Sequence, residues 1–271
     1  DYAYESNPGV AINAGDTGTG ATAASPASTI VGMDVADNSN GLDLQVDFVA
    51  AFDEATLSEY RVQIVKAALV GTFDLTAAEA VIPANYSTTA PTGAPSYSQV
   101  LTAVSTDTDG DLIVIGQPYR VFILNMADGV NATLNSLSAA PSDVTLNTTA
   151  DIALSIAGSD VGDLANATDL QVDFNAAANE ATISEYRVFA VKTTAAGSFD
   201  LGAAQAGAAG TYESVAPGAG PYTVNFNVAT TDSDGDAIAL GVPYTIFAYS
   251  VADGSNANID NLTSSASDVT L

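Results

Sequence analysis

The residues of this chain best suited to chemistry are carboxylates set at every second position. Asp107, Asp109 and Asp111 alternate around Gly110, and Asp232, Asp234 and Asp236 alternate around Gly235. Calcium takes about six to eight hard oxygen ligands, and alternating carboxylates in a turn can converge on one ion. The run lacks the downstream glutamate of an EF-hand loop, so that motif is excluded. Asp and Gly also build turns without any ion. The calcium reading predicts a calcium-dependent rise in melting temperature, and the plain-turn reading predicts none. Asp128 with Asn131, and Asp253 with Asn256, are oxygen donors that can assist from another loop.

Paired carboxylates also carry out glycoside hydrolysis. Here 32 acidic residues make chance pairs common. The acids also recur in duplicate, whereas an active site normally occurs once. Histidine and cysteine are absent, and no Gly-x-Ser-x-Gly turn occurs. The usual bases and nucleophiles are therefore missing, and the expectation is a protein that is not an enzyme.

The charge balance sets the class of partner. Five basic residues (Arg61, Lys66, Arg120, Arg187 and Lys192) face 32 acidic ones, for a net charge of -27. Such a chain repels nucleic acid and anionic lipid, because phosphate binding needs clustered Lys and Arg. It tolerates salt, which screens its self-repulsion. With 47% hydrophobic residues it can still bury a core. The absence of cysteine excludes disulfides and thiolate metal sites. No run of residues is long and apolar enough to predict a membrane span. The chain opens on Asp1 without a signal-peptide pattern, so a processed form is expected.

These carboxylates belong to a repeat. Residues 43–66 read DLQVDFVAAFDEATLSEYRVQIVK, and residues 169–192 read DLQVDFNAAANEATISEYRVFAVK. TDTDGDLIVIGQPYRVF at 106–122 returns as TDSDGDAIALGVPYTIF at 231–247, and ADGVNAT at 127–133 as ADGSNAN at 252–258. Both copies close on SDVTL. The expected organisation is an extended N-terminal segment over 1–26, one domain over 27–146 and a second over 150–271. Within residues 1–26, the Gly-, Thr-, Ala- and Ser-rich stretch from 15 onward suits a linker.

Alternation identifies the strands. Leu42, Leu44, Val46 and Phe48 share one face, with Asp43, Gln45 and Asp47 on the other. Further strands are expected at 60–66, 119–126 and 143–146, and at 186–192, 244–251 and 268–271. Residues 73–81 (FDLTAAEAV) favour a short helical turn. Many short strands with polar turns indicate an all-β protein of two tandem antiparallel β-sandwich domains.

The order SEYRV, then Gly-x-Pro-Tyr, then Ala-Asp-Gly-x-Asn, then Ser-Asp-Val-Thr resembles bacterial fibronectin type III-like (immunoglobulin-like) modules. The resemblance covers both copies but not residues 1–26. It implies that Tyr119 and Tyr244 are the tyrosines of the sixth strand, and Tyr60 and Tyr186 those of the third. The family's second-strand tryptophan is missing, so Phe48 and Phe174 are expected in its place. The stretch between the third and fifth strands is longer than in the family. Such modules serve adhesion, spacing and sugar binding alike.

Two features point to self-assembly. Val121 and Ile123 alternate with Phe122 and Leu124, and Ile246 and Ala248 with Phe247 and Tyr249, while Phe189 extends the outer face. One face fills the core. The other needs either a partner or coverage by the long insertion or the neighbouring domain. Tyr2, Tyr4, Val10 and Ile12 have the spacing of an extended segment, which can add to a sheet edge of a neighbour. The expected function is therefore an extracellular structural protein, a subunit of a cell-surface filament, sheath or matrix. It would form a homopolymer by donation of its N-terminal strand, with calcium screening acidic loops. The alternative is an adhesin or carbohydrate-binding module with a glycan partner.

Overall fold

The computed structural model describes residues 21–271. Each half builds two antiparallel sheets. In the first half, β1 (Ser28–Asp34), β2 (Leu44–Val49), β3 (Leu57–Lys66), β4 (Ser87–Thr89), β5 (Ser96–Val100), β6 (Pro118–Ala127), β7 (Ser136–Ala139) and β8 (Val144–Thr145) follow in order. Strands β1-β2-β5 form one sheet, and β4-β3-β6-β7 the other, with β8 also on β6. The second half repeats this with β9 (Leu154–Asp160), β10 (Leu170–Asn175), β11 (Ile183–Lys192), β12 (Glu213–Val215), β13 (Tyr222–Asn225), β14 (Pro243–Ala252), β15 (Asn261–Ser264) and β16 (Val269–Thr270). Its sheets run β9-β10-β13 and β12-β11-β14-β15, with β16 on β14. The all-β, sandwich-like architecture is thus present.

Period-2 alternation explains the layering. Leu44, Val46 and Phe48 point inward and join Tyr60, Val62, Ile64, Val121 and Ile123 in one apolar cluster. Leu170, Val172 and Phe174 do the same in the second half. The sheets come close where glycine permits it. A Cβ at Gly32 would lie 2.9 Å from Val121 and Val144, and one at Gly158 would lie 2.8 Å from Val269. Phe48 stacks on Tyr97 at 5.2 Å and meets Tyr60 edge-on at 5.1 Å.

Three expectations are corrected. Leu42 is not part of the strand face. Asn40 and Asp43 close a capping box around a 3-10 turn at Gly41–Asp43, which turns Leu42 outward. The closing strand is shorter than expected and is preceded by β7, which the Ser-rich sequence conceals. Residues 21–26 are not free linker. Ala23 bridges Leu134, and Ala24 is buried in the first core.

The halves meet at residues 147–150. Asn147 N–H donates to Asp34 at 2.8 Å, and Thr148 N–H to Asn258 at 2.8 Å. Asn258 Nδ2 donates to Asn147 Oδ1 at 3.0 Å, and Ser39 donates to the Asn256 carbonyl. Residues 22–24 approach the first half as 148–150 approach the second. Thr133 and Leu134 N–H donate to the Thr22 carbonyl, as Asn258 and Ile259 donate to that of Thr148.

Candidate functional site

Each Asp-rich loop lies beside the end of a long strand. Thr108 N–H donates to the Ile64 carbonyl at 2.9 Å, tying the loop to β3. Asp107 closes the turn. Its N–H donates to the Asp111 carbonyl at 2.8 Å, and its Oδ1 accepts from Asp109 N–H at 2.9 Å and Asp111 N–H at 3.1 Å. Gly110 takes φ +93°, where a side chain would be strained. The second loop is built the same way, with Asp232 Oδ1 accepting from Asp234 and Asp236 N–H, both at 3.0 Å.

The remaining oxygens converge on a lysine. Lys66 Nζ lies 3.1 Å from Asp107 Oδ2, 3.2 Å from Asp109 and 2.5 Å from Asp111. Lys192 Nζ lies 3.1, 3.5 and 2.5 Å from Asp232, Asp234 and Asp236. Asp107 and Asp232 are buried, and their Oδ2 atoms have no hydrogen-bond partner beyond this ammonium contact. The Asp111 carboxylate, helped by Asp107 and Asp109, holds Lys66 above the usual lysine range, and Asp236 with Asp232 does the same for Lys192.

In the second loop the three carboxylate oxygens lie within 4.8 Å of one another and can hold a metal ion. Their hard-oxygen chemistry fits a cation. A divalent ion would share or displace the lysine head and would need further oxygens to complete its shell. Asp128 and Asp253 do not supply them. Asp128 Oδ1 accepts from Val130, Asn131 and Ala132 N–H, and Asp253 Oδ1 accepts from Ser255, Asn256 and Ala257 N–H. These carboxylates close their own loops.

A second site, one glutamate held by two tyrosines, escapes a reading of the sequence. Glu54 Oε1 accepts from Tyr60 and Tyr97 hydroxyls, both at 2.7 Å, and Oε2 accepts from Gly93 N–H at 2.6 Å. Glu180 holds Tyr186, Tyr222 and Ala219 in the same way. Burial pushes Glu54 and Glu180 upward, but the hydrogen bonds outweigh it and both carboxyls sit below the usual range. A carboxylate held ionised in this way is a poor proton donor; it pegs the loop to the aromatic core.

Of the two expectations for the outer face, a partner or coverage from within the chain, the structure shows coverage. Phe122, Leu124, Phe189, Phe247 and Tyr249 are all buried. The long insertion of their own half covers them. In the first half α1 (Leu75–Ala80) and the preceding turn do so, with Phe73 meeting Phe122 at 4.9 Å. In the second half α2 (Thr193–Ala196) and α3 (Leu201–Gln205) bring Phe199 and Leu201 over Phe189 and Phe247. Exposed aromatic surface on this face would be costly, and the insertion removes it. These five residues are therefore not an open assembly surface. Tyr2, Tyr4, Val10 and Ile12 lie outside the described residues.

No family model matches the chain, and no curated protein matches it either.

The two lysines are the functional residues that sequence reasoning missed. The signal was present. Four of the five basic residues fall in matched pairs of the repeat, Arg61 with Arg187 and Lys66 with Lys192.

Proposed function

We propose that this chain is an extracellular structural protein, a non-enzymatic subunit of a surface filament, sheath or matrix. The observation that carries the reading is the junction. Two sandwich-like halves are joined through four residues, and hydrogen bonds from both sides hold the connection. That arrangement suits a stiff two-part strut. The strand orders 1-2-5 and 4-3-6-7 support tandem domains of fibronectin type III-like kind. So do the Tyr119 and Tyr244 hydroxyls, which accept Val114 N–H at 3.1 Å and Ala239 N–H at 3.0 Å in the manner of a tyrosine corner.

Calcium in this reading is a competitor of lysine at Asp232, Asp234 and Asp236. The Asp107 loop is its less favourable counterpart. The N-terminal segment remains the proposed donor strand, and truncation should stop before Ala21 because Ala24 belongs to the core. Negative-stain microscopy of the full chain beside a chain beginning at Ala21 tests the reading. Filaments or sheets from the full chain are expected. Single two-lobed particles in both samples would overturn the polymer reading and return the adhesin alternative.

A further inference from the structure

The repeat lets each half serve as a reference for the other. At the side of the first half, the edge strands of its two sheets approach each other. Strand β4 pairs with β3 and β5 with β2, and among the described residues neither pairs with a further strand. Thr89 of β4 donates to Gln99 of β5 at 3.3 Å. Between the sheets a cleft of about 260 Å³ opens there. The buried core residues Val62, Ile64 and Leu101 line it, with Tyr86, Ser87 and Thr106. None of its lining residues is charged, in a chain with 32 acidic ones. The Ser87 Oγ atom is buried and has no hydrogen-bond partner, a cost that folds normally avoid.

The second half closes the same place with its own side chains. Ser87 corresponds to Glu213, since each faces the matching valine of the neighbouring strand, Val62 or Val188. Glu213 accepts from Asn227 N–H at 2.9 Å, from Asn227 Nδ2 at 2.9 and 3.0 Å, and from the Thr230 hydroxyl. Asn227 and Thr230 correspond to Thr102 and Ser105, which line the cleft of the first half. Thr89 and Gln99 are replaced by Val215 and Val224, which pack on the second core.

We propose that the cleft of the first half takes a tyrosine side chain, Tyr2 or Tyr4, from the N-terminal segment of another copy. Both tyrosines lie outside the described residues. The volume is about nine times the ~30 Å³ share of a water in the liquid, which suits one ring. A phenol has an apolar body for Val62, Ile64 and Leu101 and one polar tip for Ser87. A sugar ring would bury several hydroxyls against aliphatic side chains, at a cost. The main chain beside the ring can then lie along the open edge of β4 or β5. The neutral lining admits a segment in which Asp1 and Glu5 flank the tyrosines. Its own segment enters each copy at Ala23, which bridges Leu134 next to β7, the edge of the sheet opposite β4. This inference rests on the filament reading above and names the acceptor of the donated strand.

The test is titration calorimetry of a synthetic peptide of residues 1–14 into the full chain carrying Tyr2→Ser and Tyr4→Ser. Saturable binding is expected. Ser87→Glu, the residue of the second half, should fill the cleft and weaken binding roughly tenfold or more. Ser87→Gln should do the same without added charge, which separates filling from repulsion. An unchanged melting temperature of either variant shows that the fold is kept. In the otherwise unaltered chain, both substitutions should abolish the filaments seen by microscopy. If filaments form but the peptide fails to bind, or binds Ser87→Gln as well as its parent, the inference is overturned and the filament reading stands. If Ser87→Gln blocks the peptide but the unaltered chain gives single particles, the cleft holds the segment of its own chain. The contact between copies then falls together with the filament reading.

Discussion

Lys66→Met removes the ammonium and keeps the aliphatic stem. Asp107 is buried, with 1% of its side chain exposed, and its Oδ2 then faces two neighbouring carboxylates with no cation. Removing one partner of a fully buried pair costs about 3–5 kcal/mol. Lys66 is 24% exposed, so water reaches the site. Its contacts with the exposed Asp109 and Asp111 contribute about 0–1 kcal/mol each. The expected loss is about 2 kcal/mol after that discount. At about 3–5 °C per kcal/mol for a half of this size, the melting transition should fall by about 6–10 °C. Calcium should then rescue the variant more than the parent, because the carboxylates no longer hold a lysine. A site with a Kd of about 1 mM returns about 1.4 kcal/mol at about 10 mM calcium. Differential scanning calorimetry in chelator and in calcium, with sodium chloride matched for ionic strength, measures both effects. A variant that melts with its parent in chelator would refute the view that lysine organises the loop. Equal calcium responses in variant and parent would refute the competition.

Further outcomes follow from the same geometry. The Glu54 carboxyl is held below its usual range, so its contribution is full above the unfolded pKa of about 4.3 and is lost as pH falls through the lower folded value. Glu54→Gln should therefore flatten the melting-temperature profile on its acid side, and an unchanged profile would contradict the tyrosine-peg role. Phe189→Ala should cost about 3–5 kcal/mol in urea unfolding, because the ring is fully enclosed by its own insertion. Phe52→Ser should change stability by no more than about 0.5 kcal/mol, since that ring is fully exposed. A Phe189→Ala protein as stable as its parent would mean that the insertion does not cover this face in solution.

The parts of the fold that follow from local pattern were legible in the sequence. Leu44, Val46 and Phe48 alternate and line the core, and FDLTAAEAV contains the helical turn at Leu75–Ala80. Leu42 leaves the alternating face because Asn40-x-x-Asp43 is a capping signal that begins a turn. The burial of Phe122 and Phe247 could not be read locally. Their period is that of a strand with two apolar faces, and only the folded insertion shows what covers the second. The lysine site has the same cause. Lys66 and Asp107 are distant in sequence, and only the docking of the loop on β3 makes them neighbours.

All five cationic side chains are engaged by the protein's own groups. Arg61 holds Glu59 at 2.7 Å and lies over Tyr86. Arg120 holds Asp143 at 2.7 Å, and Arg187 holds Glu185 and lies over Tyr212 and Tyr249. Lys66 and Lys192 are held in the Asp loops. Among the described residues no positive head is left unpaired, so toward solvent the molecule behaves as a polyanion. A dense layer of it would draw in mobile counter-ions, exclude small anions and swell as the surrounding salt is diluted. Its thickness and permeability would then follow the osmotic pressure of those ions.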